Sequence, residues 1–358
     1  MRAAIMRGDS IVVDTIPDPS PQKGEVLVKT IACGICGSDL HALKHKEQFK
    51  DFFPESMGAD ISGDVVMGHE FCAEIIDHGQ DCNKSLSTGT HVCSIPIMVR
   101  NSQMRAVGYA NNAPGGFGEL MVLSEDFLLP VANGLSAEHA ALTEPMAVGL
   151  HAVAKANLQP NEASLVIGCG PVGLAVIAML NMLGHHPIVA ADFSPKRRNL
   201  AERFGADVVV DPTKSSPYSS WKEIADQANL ANTNGAATLS EELPTSPGVF
   251  FECVGVPGVL DQMISGATKD CRFVVVGVCM ETDHILPMTA ISKEINMQFV
   301  LGYSPQEFSA TLDYIAQGDL DVSPIISQKV GVTGVSQAFA ELANPETNAK
   351  VLVEPWRD

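Results

Sequence analysis

The sequence predicts an α/β protein in which a doubly wound parallel sheet is joined to a second, mainly β module. Three observations carry that prediction. The 358 residues are too many for one compact core, so about two domains are expected. From about residue 164 onward strand patterns alternate with helix patterns, which is the signature of parallel βαβ units. Before His139 only short strands and turns appear, with no long helical period.

The elements follow in order. Residues 1–30 alternate apolar and polar side chains around the turn PDPSPQKG, as in a β-hairpin. Short strands continue through EFCAEII and GTHVCSI to about Val122. ALTEPMAVGLHAVAKA has apolar residues at helical spacing and ends near Asn157. SLVIG then predicts a strand, PVGLAVIAMLNMLG a helix, PIVAAD a strand, and PKRRNLAERFG a helix closed by Gly205. DVVV, GVFFECV, RFVVVGV and MQFVLG are further strands, with WKEIADQANLAN as a helix after the first of them. Residues 231–247 are polar and turn-rich, a surface loop within the same domain. The helix PQEFSATLDYIAQG and the β-like tail AKVLVEPW close the chain.

Composition excludes several functions. Asp+Glu 42 against Lys+Arg 23 leaves a formal charge of −19, so the chain gains nothing from the phosphates of nucleic acid or of an anionic membrane. Residues 163–184 carry no charge and are long enough to span a bilayer, but Gly168, Gly170, Pro171, Gly173 and Gly184 interrupt them. A strand and helix buried between layers read the same way. MRAAIMRGDS has no apolar signal region, and nine cysteines are an odd number for a disulfide framework. The reducing cytosol is therefore the expected compartment.

Gly168-Cys-Gly170-Pro171-Val172-Gly173 follows the strand SLVI and opens a helix. Alone, G-x-G-x-x-G is a weak signal, and a Gly-rich turn that binds nothing would also satisfy it. In this context it predicts a Rossmann dinucleotide site: a tight turn, close approach to pyrophosphate and close strand–helix packing. The helix N-terminus adds N–H donors and a positive dipole end. Asp192 ends the next strand, 22 residues beyond Gly170, where a carboxylate accepts from ribose hydroxyls and repels a 2′-phosphate. That favours NAD over NADP. Lys196, Arg197 and Arg198 follow and would tolerate a 2′-phosphate, but are read here as a solvated helix face.

The first half carries Cys33-Gly-Ile-Cys36-Gly-Ser38-Asp39-Leu-His41, then Gly68-His69-Glu70 and Thr143-Glu144-Pro145. Thiolate, imidazole and carboxylate are the ligand types of Zn²⁺, with a catalytic site leaving one position open. Cys33-x-x-Cys36 by itself also fits half of a zinc knuckle or a redox pair, although no second C-x-x-C occurs. CGICGSDLH, GHE, TEP and GCGPVG, in this order, resemble the zinc-dependent medium-chain alcohol and sorbitol dehydrogenases, over essentially the whole chain.

The resemblance implies a GroES-like catalytic domain of residues 1–147 and 300–358 around a Rossmann domain of residues 148–299, with a catalytic zinc in the cleft between them. It implies hydride transfer between an alcohol and NAD⁺ through a zinc-bound alkoxide. By matching position, Cys36 and His69 are zinc ligands and a carboxylate is the third: Glu70 or Glu144, which the sequence does not separate. Ser38 matches a proton relay, His41 the outer histidine that passes the proton to solvent, and Asp39 a carboxylate orienting the ring of His69. Val254, Val276-Gly277-Val278 and Leu301-Gly302 match segments lining the nicotinamide. Lys350 matches a basic residue near the pyrophosphate. Relatives form dimers and tetramers, so a homodimer or homotetramer is expected.

The chain also departs from the family's pattern. Many relatives carry a structural zinc held by four cysteines, but only Cys93 occurs between Gly89 and Gly118. One zinc per chain is therefore predicted, and the lobe MVRNSQMRAVGYANNA must hold without metal. Cys33 is expected as a small core residue, and Cys72, Cys82, Cys169, Cys253, Cys271 and Cys279 as structural. The remaining histidines (45, 78, 91, 139, 151, 185, 186 and 284) show no ligand pattern. Phe49, Phe52, Phe53 and Pro54 lie between His41 and His69, on a segment that borders the substrate or packs its own aromatics. Ile95 falls where sorbitol-type relatives often have Glu, which points to a less polar pocket and to a secondary or bulky alcohol over a sugar polyol.

Two other classes compete with this reading. A zinc-free NADPH quinone or enoyl reductase would lack the Cys–His–Glu set and the acid at position 192. A non-catalytic nucleotide- or metal-binding protein would need neither Ser38 nor His41.

Overall fold

The computed structural model describes residues 1–46, 48–49, 58–232, 247–344, 346 and 348–358. Phe52, Phe53 and Pro54 lie outside the described residues, as does most of the loop expected at 231–247. The chain divides into Met1–Pro145 with Phe308–Asp358, and Met146–Glu307. The second crossing falls later than the 299/300 of the sequence reading. Glu307, at the start of the helix Pro305–Gln317, is held by His151 of Met146–Glu307, whose Nδ1 lies 2.9 Å from its Oε2.

In Met146–Glu307 six parallel strands form one sheet, ordered Val208–Val210, Ile188–Ala191, Ser164–Ile167, Val249–Glu252, Arg272–Val275 and Asn296–Phe299. This is the 3-2-1-4-5-6 order of a dinucleotide-binding sheet. The uncharged run 163–184 resolves into the strand Ser164–Ile167 and the 12-residue helix Pro171–Met182, whose Gly173–Leu180 stretch is buried throughout. Among the described residues no helix is long and apolar enough to cross a membrane. One face of the sheet packs Leu165, Val189, Phe250 and Phe273 against Trp221. The Phe250 and Phe273 rings stack at 5.3 Å, Trp221 meets Phe250 edge-on, and the Trp221 Nε1–H donates to the carbonyl of Ala163. That bond satisfies the indole's one polar group inside the core.

The other unit is built on antiparallel strands. Glu25–Gly34 is its spine, pairing with Glu70–His78 on one side and with Leu120–Ser124 and Lys350–Val353 on the other. The pairing of Leu352 with Gly34 and of Val353 with Cys33 explains why the C-terminal tail belongs to the first unit. Arg2–Arg7 and Ser10–Thr15 form the expected hairpin. The helix Gly37–Lys44 leaves no legible period in the sequence, because eight residues give too few turns.

The lobe without a cysteine cluster is the hairpin Ile97–Arg100/Gln103–Ala106. Arg100 reaches back to the buried Glu25 with two parallel bonds of 2.7 and 2.9 Å. The N–H of Val99 donates to Ser124 Oγ, and that of Ala106 to the carbonyl of Gly58. The bidentate pair with Glu25 and the bond to Ser124 anchor it to the sheet, and the bond to Gly58 ties it to the segment before it.

Candidate active site

Cys36 is the N-cap of the helix Gly37–Lys44, and its N–H donates to Asp39 Oδ2 at 2.9 Å. This bond satisfies one of the donors a helix start leaves free. His69 precedes and Glu70 opens the strand Glu70–His78, after Gly68, whose φ of +100° suits glycine, and a Cβ at Gly68 would strike the Phe117 ring and Cys33 Sγ. Gly34, on the adjacent strand, leaves the space Glu70 needs: a Cβ would lie 1.9 Å from Glu70 Oε2.

These turns bring one ligand atom each of Cys36, His69 and Glu70 within 4.8 Å of one another. Among the described residues it is the one His/Cys/Asp/Glu group of this kind. Sulfur, nitrogen and oxygen donors from three residues fit an open tetrahedral zinc site. Glu144, second residue of the helix Thr143–Ala156, is half-buried, and its charge acts on Lys350, but it stands outside this trio.

The surroundings are tightly organised. Asp39 is fully buried, with Oδ1 3.4 Å from His69 Nδ1, within ion-pair range but without hydrogen-bond alignment. Burial works to lower the pKa of the His69 imidazolium, yet Asp39 and Cys36 hold it well above its usual value. A metal entering the site would displace that proton. Tyr109, which the sequence did not single out, places its hydroxyl 2.8 Å from Ser38 Oγ and 3.1 Å from Asp39 Oδ1. Burial and then the Asp39 charge keep its phenol well above the usual range, hence protonated. Ser38 and His41 share no hydrogen bond. His41 is half-buried, and burial followed by His45 and Lys44 lowers its pKa.

Lys350 corrects the sequence reading. It is 1 % exposed, and its Nζ donates to Glu70 Oε1 at 2.7 Å, Glu70 Oε2 at 2.8 Å and the carbonyl of Ile35 at 3.1 Å. An ammonium has three donors, so none is left for a pyrophosphate. Burial opposes its charge, but Glu70, and after it Cys36 and Glu144, hold its pKa above the ordinary lysine value.

The dinucleotide loop stands by itself in Met146–Glu307. Gly168 has φ +91°, and a Cβ would meet Val254 at 2.7 Å. A Cβ on Gly173 would lie 1.8 Å from the carbonyl oxygen of Gly168, so strand and helix approach as closely as the fingerprint requires. Around Gly170 only the Arg197 guanidinium comes within 4 Å of a Cβ, which leaves room for a phosphate against the N-terminus of the helix that Pro171 and Val172 open. Asp192 Oδ2 accepts from the Cys169 N–H and Oδ1 from the Ser194 N–H.

Arg197 and Arg198 are not the solvated face expected of them. Arg198 donates to the carbonyls of Asp192 and Phe193 and pairs with Asp211, while Arg197 lies 3.9 Å from Asp192. Both sit in the first turn of the helix Pro195–Arg203, beside the end of the strand Ile188–Ala191 and within reach of those acceptors. Lys196 is exposed. Val254, Val276, Gly277, Val278 and Leu301 all follow the C-terminal ends of parallel strands, where such sheets bind ligands. Of the cysteines expected as structural, Cys279 is exposed and Cys82 half-buried; the others are buried.

Residues 22–133 match the family model described as alcohol dehydrogenase GroES-like domain, and residues 171–317 the one described as zinc-binding dehydrogenase. The chain belongs to the zinc-dependent medium-chain alcohol and sorbitol dehydrogenase family. It is 31% identical over 355 residues to (R,R)-butanediol dehydrogenase of Bacillus subtilis (strain 168), covering 96% of both chains. It is 25% identical over 372 residues to the sorbitol dehydrogenase of the same organism, covering 100% of this chain and 98% of the relative. The crystal structure of 2R,3R-butanediol dehydrogenase from Bacillus subtilis superposes with a TM-score of 0.79 at 30% identity, covering 99% of each chain. The protein is thus a dehydrogenase with a zinc and a nicotinamide cofactor, acting on a small-molecule alcohol.

Proposed function

We propose that this protein is an NAD-dependent alcohol dehydrogenase that uses one zinc per chain to interconvert a secondary alcohol and its ketone, with vicinal diols as the first substrate class. The convergence of Cys36, His69 and Glu70 within 4.8 Å, with Ser38 on the helix that Cys36 caps, carries this reading. The likeness to butanediol dehydrogenases supports a secondary hydroxyl, as does an apolar side chain at Ile95.

Zinc, when bound, supplies a Lewis acid that makes an alcohol hydroxyl more acidic. Nicotinamide supplies the hydride acceptor. The chain's own residues do the rest. Cys36, His69 and Glu70 hold the metal, with Glu144 second to Glu70. Asp39 orients the His69 ring, as metal-bound histidines usually require. Ser38 Oγ accepts the alcohol's proton. His41, whose lowered pKa keeps it neutral near pH 7, receives a proton on its way to solvent.

The Asp192 carboxylate supports NAD, whereas Arg197 beside Gly170 is the feature that would favour NADP. Assembly as a homodimer or homotetramer is supported by the edge strand Asn296–Phe299. Phe299 on that strand, Leu301 just after it, and Leu286, Met288 and Ile291 at and in the helix Pro287–Ser292 before it are each more than half exposed. A cytoplasmic location suits nine cysteines.

The test is NAD⁺ and NADP⁺ reduction by the purified protein over primary alcohols, secondary alcohols, vicinal diols and polyols. Fastest turnover with NAD⁺ and a secondary alcohol or vicinal diol is expected. Turnover confined to polyols would overturn the substrate class, and preference for NADP⁺ would overturn the cofactor.

A further inference from the structure

Tyr109 belongs to none of the motifs that mark the site. It follows Gly108 (φ +84°) in the segment beyond the hairpin Ile97–Arg100/Gln103–Ala106. Its ring packs 5.0 Å from that of Phe49 and 5.1 Å from that of His69, and the residue is 6 % exposed. Its hydroxyl meets Ser38 Oγ and Asp39 Oδ1, two side chains in the first turn of the helix that Cys36 caps.

The Tyr109 hydroxyl is the donor in this cluster, to Ser38 Oγ at 2.8 Å and to Asp39 Oδ1 at 3.1 Å. A carboxylate only accepts, whereas a serine hydroxyl has one hydrogen and two lone pairs. With one lone pair of Ser38 Oγ engaged by Tyr109, the other is left for an incoming donor, and the Ser38 hydrogen is left to point to a further acceptor.

We propose that Tyr109 is a positioning residue that holds the Ser38 hydroxyl as a hydrogen-bond acceptor toward the substrate alcohol. The inference rests on the dehydrogenase reading above. In alcohol oxidation the alcohol's proton passes to Ser38 Oγ. Ser38 gives its own hydrogen to the next acceptor, for which His41 is the candidate. The hydride goes to the nicotinamide, and Tyr109 neither gains nor loses a proton. Tyr109 thus sets the direction of the relay without taking part in it, and its phenol also ties the lobe without a cysteine cluster to the turn that carries Cys36.

The test uses the zinc-loaded protein with Tyr109→Phe, Ser38→Ala and both together, reading kcat, KM for the alcohol and zinc per chain. Tyr109→Phe is expected to lower kcat about tenfold, the equivalent of one hydrogen bond, with KM within about twofold. Zinc content should be unchanged, and the substitution should have no further effect when Ser38 is already Ala. Independent, multiplying effects of the two substitutions would overturn the proposal, as would an unchanged kcat or a loss of zinc in step with activity.

A second measurement does not depend on the folding of Tyr109→Phe. In protein labelled with 3-fluorotyrosine, the fluorine resonance of Tyr109 is assigned by replacing Tyr218, Tyr303 and Tyr314 in turn with Phe. Ser38→Ala should shift that resonance with no cofactor or alcohol present, and no shift would overturn the proposal. An inactive wild type that shows the shift would sink the dehydrogenase reading alone. An active wild type without it would sink only the role of Tyr109.

Discussion

Lys350 donates to both carboxylate oxygens of Glu70, at 2.7 and 2.8 Å, although 280 positions separate the two residues and neither is more than 1 % exposed. A buried pair is costly to assemble, but removing one partner strands the other charge in the core. The pair joins the C-terminal strand Lys350–Val353 to the strand that begins with Glu70. It also leaves each oxygen of Glu70 a further lone pair.

Lys350→Met should therefore lower stability by about 3–5 kcal/mol, read as the urea midpoint at constant m. A loss below about 1 kcal/mol would mean that the pair is not closed as described. Because the folded-state pKa of Lys350 is raised, the contribution of the pair is complete at and below the ordinary lysine value of 10.5. It is lost only as pH rises through the raised value.

Gly34→Ala tests the placement of Glu70 directly. The new Cβ would fall 1.9 Å from Glu70 Oε2 and push the carboxylate away from Cys36 and His69. Zinc affinity should fall about 10–100-fold in competition with a chelator, as for other disturbed ligand supports. Wild-type affinity would remove Glu70 from the ligand set and leave Glu144.

Asp192→Asn should relax cofactor choice, because it removes the charge that repels a 2′-phosphate. The ratio of kcat/KM for NAD⁺ to that for NADP⁺ should drop at least about tenfold, roughly 1.4 kcal/mol. An unchanged ratio would show that the hydrogen bonds of Asp192 to Cys169 and Ser194 are structural and that selection lies elsewhere.

A pH effect is expected at Glu307. Burial raises its pKa, but the Ser304 N–H and His151 outweigh that and leave it below the usual carboxylate value. A depressed carboxylate stabilises the fold above its unfolded pKa, and the contribution is lost as pH falls through the folded value. Glu307→Gln should cost about 1–2 kcal/mol at pH 7. The gap to wild type should close as pH drops below 4.5. A gap that persisted there would mean that packing, not charge, holds this helix start.

The parts of this molecule legible in the sequence are those that local chemistry dictates. The GCGPVG turn must follow a strand and open a helix, and Cys36, His69 and Glu70 sit in short motifs with distinctive residue types. What the sequence concealed is long-range. Nothing near Lys350 in sequence reveals that its ammonium ends on Glu70, and its motif position alone points to a phosphate. Tyr109 stands 70 positions from Asp39 in a lobe with no motif. Arg197 and Arg198 look like solvated helix residues until the end of the neighbouring strand supplies their acceptors.

The most direct test of the account is elemental analysis of the purified protein and of Cys36→Ser, each paired with NAD⁺ reduction by a secondary alcohol. The account predicts about one zinc per chain in the wild type, lost together with activity in Cys36→Ser. A folded, NAD-binding protein without zinc would contradict the proposed chemistry. About two zincs per chain would contradict the single-site assignment.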